Sequence, residues 1–191
     1  MLDDGSITVA TGAVDIGQGS DTAIAQMCAT ALKLPLDQIN IVQADTDAAP
    51  FNSGTNASRV TYMLGQVIAQ ATDDCAKQLF HHAAELLECD AADLELVPGG
   101  SIAIKGVPQR TITFAQASRR AHFGAGGPII GRGSYVYDVN EPEPRRADYK
   151  GTMSLAHIGN YVFGAQVVET IVDETTGKVE ASEVWSVHDV D

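Results

Sequence analysis

The sequence is short of positive charge, of cysteine and of long apolar runs, and each shortage closes off a class of function. Twelve Lys and Arg stand against 25 Asp and Glu, a formal net charge of −13. Bulk potential draws neither a nucleic acid nor an anionic membrane to such a chain, so any anion it holds must be gripped locally. The three cysteines, Cys28, Cys75 and Cys89, make no CxxC pair and supply neither a zinc site nor an iron–sulfur ligand set. They read as buried thiols of a reducing compartment, and the chain as cytoplasmic. No apolar run approaches the roughly 20 residues that span a bilayer, and no charged-then-apolar leader opens the chain. G-x-G-x-x-G, a Gly-Lys-Ser/Thr P-loop and a readable Ser-His-Asp order are also missing. His81 and His82 would point about 100° apart on a helix, so they cannot share one ion and read as a solvated pair.

What is present suits one core: 191 residues, 45% of them hydrophobic and 19% charged. Residues 6–10 form a short β-prone run that enters glycine-punctuated turn chemistry. From Asp21, the residues Ile24, Met27, Cys28, Ala31 and Leu32 fall at helical spacing until Pro35 forces Leu34 out of the α region. Residues 39–44 read as a second strand, and residues 45–58 as a polar loop. Val60, Met63, Leu64, Val67, Ile68, Ala71, Cys75 and Leu79 then make one apolar stripe, prolonged by Ala83, Leu86 and Leu87, on a helix of roughly 30 residues and about 45 Å. Residues 93–97 and 101–105 read as a hairpin through Pro98-Gly99-Gly100. A short helix over residues 113–122 takes Thr111 or Thr113 as its cap, and regular structure lapses in the glycine-rich stretch 124–128. The segment 138–150, with Pro142, Pro144, Arg145 and Arg146, reads as an exposed flexible loop. Residues 161–172 and 179–187 close the chain as an antiparallel hairpin, with Trp185 read as core.

The expected fold class is therefore α+β (mixed α/β), a sheet packed with one long and two shorter helices. Residues 1–90 form a β-α-β-α half and residues 91–191 a β-rich half. Neither end carries the polar tail of a finished domain, so residues 1–191 are expected to be a single, incomplete domain.

Two loops carry candidate chemistry. If the first two strands are parallel neighbours, both following helices start at one sheet edge, and a helix N-terminus offers backbone N–H groups with about half a unit of positive charge to an anion. In the first loop Gly17 and Gly19 permit close approach, Gln18 offers an amide, and Ser20 and Thr22 add hydroxyls. Taken alone, Gly17-Gln18-Gly19 is equally a tight turn with Ser20 or Asp21 as helix cap. In the second loop Asn52, Ser53, Thr55, Asn56 and Ser58 exceed what one cap requires. Asp45 and Asp47 fit either a divalent ion shared with a partner or a plain strand-end turn, and Arg59 either a phosphate or solvent.

Together and in order, these stretches resemble the xanthine dehydrogenase and aldehyde oxidase family of molybdenum hydroxylases, in the C-terminal half of its molybdopterin-binding large subunit. The matching residues are Thr11-Gly12-Ala13-Val14-Asp15-Ile16-Gly17-Gln18-Gly19-Ser20-Asp21-Thr22, Ala44-Asp45-Thr46-Asp47, Pro50, Gly54-Thr55-Asn56-Ala57-Ser58-Arg59-Val60-Thr61, Gly65-Gln66 and Val187-His188-Asp189-Val190. The resemblance implies a molybdopterin with molybdenum, in the cytosine dinucleotide form. Its dithiolene rather than protein side chains holds the metal, so no metal ligand is expected here. Gly17, Gln18, Gly19, Ser20 and Thr22 would lie against the pterin, and Ser53, Gly54, Thr55, Asn56, Ala57 and Ser58 against the pterin and its phosphates.

The implied activity is an oxidoreductase's hydroxylation of an activated carbon in an aldehyde, aromatic or N-heterocyclic substrate. Iron–sulfur and FAD groups would reside on partner chains or domains, as would the remaining parts of the molybdopterin subunit. The family's glutamate base falls outside the residues matched, so no catalytic residue is assigned and activity from this chain alone is not expected. The alternative is a non-catalytic binding or interaction module that keeps the cofactor loops. A plain structural domain whose loops bind nothing is the third reading.

Overall fold

A computed structural model of the protein describes residues 1–43, 45–52, 54–56, 58–135 and 163–189. The loop expected at 138–150 lies outside the described residues. The chain divides into two units, Met1–Val136 and Tyr137–Asp191.

In the first unit, β1 (Ile7–Ala10) and β2 (Ile39–Val42) pair in parallel, Ile7 opposite Ile39 and Ala10 opposite Val42. Between them, α1 (Ser20–Leu32) buries Ile24, Cys28 and Leu32, a four-residue step that keeps one face inward. It stops where Lys33 turns left-handed, its N–H returning to Ala29 and Thr30, two residues before Pro35. After β2, α2 (Arg59–Leu87) runs 29 residues and packs on α1. Its buried stripe of Val60, Leu64, Ile68, Cys75, Leu79, Ala83 and Leu87 follows the expected period. Leu79 and Ile24, at 0% and 2% exposure, are anchors of this packing. Each such side chain withdrawn from water contributes about 1.5–3 kcal/mol.

An antiparallel sheet then follows in the order β3 (Leu94–Val97), β4 (Ser101–Ile104), β5 (Val107–Thr113). The β3–β4 hairpin forms at the expected turn. β5 was not expected: Ile112 is its single buried residue and Pro108 interrupts its start, so no alternation marks it. Thr113 caps α3 (Phe114–Arg120) in a full capping box with Gln116, which decides between the two threonines. A π-helical turn, Ala121–Ala125, carries the helix through Gly124 and ends it before Gly126 and Gly127.

Beyond that point the chain is ordered by a contact the sequence did not signal. Residues 129–135 run as a strap along α2 in the opposite direction. Gln78 both donates to the carbonyl of Ile130 (2.9 Å) and accepts its N–H (3.2 Å), Asp74 accepts from Arg132 (3.0 Å), and Gln70 from Ser134 (3.2 Å). Four residues of helix advance about 6 Å, close to two residues of extended chain, so each rung meets the next. Tyr62 and Tyr135 finish the ladder edge to face at 6.3 Å.

His82 corrects the solvated-pair reading: His81 is exposed, whereas His82 is 9% exposed, packed beside Gly126, with no hydrogen-bond partner for Nδ1 among the described residues. The stripe of α2 is wider than its hydrophobic residues alone indicate, and His82 falls on its margin. Burial, followed by the neighbouring His81, lowers its pKa from the usual 6.5, against a weaker opposing pull from Glu85. The unfolded chain therefore takes up this proton first. The stability contributed by neutral His82 is present above the unfolded value of 6.5 and is lost as pH falls below it. Melting temperature measured from pH 8 to pH 5 should drop on the acid side for the wild type, and His82→Leu should flatten that slope. An unchanged slope would mean the titration lies elsewhere.

The second unit holds the antiparallel pair β6 (Gly164–Val172) and β7 (Val179–His188), with a register shift at Glu169/Thr170. Asp173 closes its turn by accepting from Thr175 and Thr176, and these backbone donors lower its carboxyl pKa. Trp185, opposite Val167, is 49% exposed rather than core: among the described residues of its unit there is only the two-stranded ribbon, with no second layer over it.

Candidate functional site

Parallel pairing of β1 and β2 delivers both chain exits to one sheet edge, so loop 11–19 and loop 43–58 leave side by side and α1 and α2 start there. This bears out the conditional expectation on strand direction. The two loops are joined by direct bonds. The Thr55 hydroxyl accepts the N–H of Val14 (3.1 Å) and donates to the carbonyl of Val14 (2.7 Å). Gln43, just past β2, accepts the N–H of Asp15 (3.0 Å). Gly12 lies so close to the second loop that a Cβ there would fall 2.3 Å from the carbonyl oxygen of Pro50 and 2.9 Å from the Cβ of Asn52.

Within the first loop, Asp15 and Gln18 act as internal braces. Asp15 accepts from the backbone of Gly17 (2.7 Å) and Asp21 (3.2 Å). Those donors, Gly17 foremost, hold its carboxyl below the usual carboxylate range, with burial opposing. Gln18 accepts the N–H of Ile16 (2.7 Å) and donates to Ser20 Oγ (2.9 Å) and the carbonyl of Val14 (3.4 Å). Gly17, Gln18 and Gly19 are exposed, Ser20 is buried beneath them, and Thr22 is exposed on α1. Neither Ser20 nor Asp21 is the helix cap: Gly19 holds that position in a left-handed conformation without a side-chain bond.

In the second loop Gly54 and Thr55 are half-buried, and Asn56 and Ser58 are exposed; Ser53 and Ala57 lie outside the described residues. Asn52 accepts from Gly54 (2.9 Å), and Arg59 Nη1 donates to the carbonyl of Gly54 (3.1 Å). Ser58 caps α2 in a left-handed conformation with no side-chain bond to the helix. The two helix starts are thus unequal. That of α1 has Asp15 from outside and Asp21 in its first turn, whereas the first turn of α2 contains no acidic residue. An anion meets less repulsion at α2. Asp45 accepts from the backbone of Asp47 and Ala48, which makes that pair a turn.

Sequence reasoning missed Asp15, Gln43 and Gly12 as organisers. Asp15 had a signal, since an Asp two residues before a glycine marks a side-chain-closed turn. Gln43 had none. Among the described residues, no cluster of His, Cys, Asp or Glu could hold a metal ion, and no helix is long and apolar enough to cross a membrane.

A molybdopterin cofactor-binding domain model matches residues 1–190. The chain belongs to this family. It is 28% identical over 192 residues to the xanthine dehydrogenase molybdenum-binding subunit of Escherichia coli O157:H7, covering 99% of this chain and 23% of that one. It is 32% identical over 173 residues to the 6-hydroxypseudooxynicotine dehydrogenase complex subunit gamma of Paenarthrobacter nicotinovorans, covering 91% of this chain and 20% of that one. The crystal structure of Cu,Mo-CO dehydrogenase in its carbon monoxide reduced state superposes with a TM-score of 0.78 at 25% identity, covering 98% of this chain and 22% of that chain. The chain thus spans about one fifth of the length of the curated relatives it matches. The mixed α/β fold and the assignment to a molybdopterin-binding large-subunit fragment both agree with the reading of the sequence.

Proposed function

We propose that this chain forms one wall of the molybdopterin site in a molybdenum hydroxylase, an oxidoreductase acting on an aldehyde, aromatic or N-heterocyclic substrate in the cytoplasm. The joining of two polar, glycine-bearing loops at one parallel-strand edge carries this reading, since that edge is where α/β sheets bind ligands. Gly17, Gln18, Gly19, Ser20 and Thr22 face the pterin. Ser53, Gly54, Asn56, Ala57 and Ser58 lie along the pterin and its phosphates, with a cytosine dinucleotide extending from them, and Thr55 sits in the same loop with its hydroxyl turned to Val14. The residues present fit such a group, because the acid-free start of α2 offers backbone donors to phosphate in a chain of net charge −13. When bound, the molybdenum cofactor supplies the redox chemistry; this chain's residues bind and orient it. Iron–sulfur and FAD groups would reside on partner chains or domains, in keeping with relatives that are subunits by name.

The test is native mass spectrometry with metal analysis on protein purified from a host that makes molybdopterin. The wild type should carry a pterin dinucleotide with molybdenum. Gln18→Ala, which removes three braces of the first loop, should cut occupancy by about tenfold. A wild type carrying neither pterin nor molybdenum would reject cofactor binding by this chain.

A further inference from the structure

Thr55 belongs to the loop expected to face the cofactor, yet its hydroxyl already has work within the protein. A threonine hydroxyl has one proton to donate and two lone pairs to accept with. The proton goes to the carbonyl of Val14 at 2.7 Å, and one lone pair takes the N–H of the same residue at 3.1 Å. What remains is a single acceptor, which offers nothing to an anionic phosphate. Both backbone groups of Val14, a half-buried residue four positions before Gln18, thereby find their partner on the other loop. Gln43 repeats the pattern one residue later, holding Asp15, whose carboxylate in turn shapes the turn at Gly17.

We propose that Thr55 is a positioning residue: its hydroxyl clips the first loop to the second and presets the Gly17-Gln18-Gly19 turn, instead of contacting the cofactor's phosphates. Gln43 is the second clip. The functional half of this proposal rests on the cofactor reading above; the geometric half does not. A ligand that meets two loops already joined need not order them on arrival, and such preorganisation appears chiefly in slower release.

The test compares wild type, Thr55→Val, Thr55→Ser and Gln43→Leu as full chains. Amide hydrogen exchange is followed on cofactor-free protein, and the rate of pterin loss on protein from a molybdopterin-making host. Valine keeps the shape of threonine and deletes the hydroxyl, so exchange at Val14 to Gly19 should rise about tenfold, while serine should restore the wild-type rate. Gln43→Leu should raise exchange at Asp15. Pterin loss should follow the same order, fastest in the valine variant and normal in the serine variant. Unchanged exchange in Thr55→Val would overturn the clip and leave the cofactor reading standing. Raised exchange with unaltered pterin loss would overturn the link between clip and cofactor. Wild-type protein devoid of pterin would instead overturn the cofactor reading, while the exchange data alone would still decide the clip.

Discussion

Gly12→Ala is expected to pull the two loops apart and empty the site. The new Cβ would sit 2.3 Å from the carbonyl oxygen of Pro50, 2.9 Å from the Cβ of Asn52 and 3.2 Å from the nitrogen of Asn52. Two of these atoms are backbone, so no side-chain rotation relieves them. Gly12 has no left-handed φ, so the effect is one of space alone. Overpacking of this kind costs about 1–3 kcal/mol. The local consequence is larger than that figure suggests, because Thr55 reaches Val14 only while Gly12 lies against the second loop. Cofactor occupancy should fall by at least about tenfold, with amide exchange raised across residues 12–19. The strap and the β3–β5 sheet should keep wild-type exchange. A Gly12→Ala protein that retains pterin at the wild-type level would show that the loops have slack where none is visible.

Gly131→Ala should have the second large effect, on the strap. Its Cβ would approach the carbonyl oxygen of Ala71 to 2.1 Å and Cys75 Sγ to 2.5 Å. Gly133 is in the same position one rung on, 2.1 Å from the carbonyl oxygen of Val67. Glycine alternates here because the strap lies directly on the helix backbone, and its partners Gln70, Asp74 and Gln78 reach it from the same surface. A displaced strap loses those bonds together, at a cost of about 1–3 kcal/mol or more, and the melting temperature drops by roughly 2–4 °C for each kcal/mol. Trypsin gives the sharper readout. Arg132 is held against Asp74 through its N–H, and cleavage after Arg132 should quicken at least about tenfold in Gly131→Ala while Gln78→Ala gives a smaller rise. Wild-type resistance in the glycine variant would mean the strap can stand off the helix without cost.

The periodic parts of this fold were legible from the sequence. Ile24, Cys28 and Leu32 announce α1, the stripe from Val60 to Leu87 announces α2, and Pro98-Gly99-Gly100 announces its hairpin, because each is encoded by neighbours a few residues apart. β5 escaped notice because one buried residue cannot establish alternation. The strap escaped for a different reason: its order comes from side chains more than 50 positions earlier, and nothing local in Gly-Pro-Ile-Ile-Gly-Arg-Gly-Ser encodes that contact. His82 stands three residues after Leu79 and so on the margin of the inward stripe, a position that its polar side chain and its neighbour His81 disguise.

The site divides in the same way. Its two loops were found through composition and through resemblance to a family, and their shared edge through the parallel-strand rule. The sequence could not reveal which groups face a ligand and which face one another. Thr55 and Gln18 have donors that suit a cofactor, and both use them within the protein, across 41 positions in the case of Thr55 and Val14. The inequality of the two helix starts likewise required knowing that Asp15 folds back onto Asp21.

The claim that these two loops together hold a molybdopterin is tested most directly by amide exchange on the full chain. Protein from a host that makes the cofactor is compared with protein from a host that does not. Protection should gather in residues 12–22 and 52–61 and leave β3, β4 and β5 unaltered. Identical exchange in the two preparations, or protection confined to segments outside both loops, would contradict it.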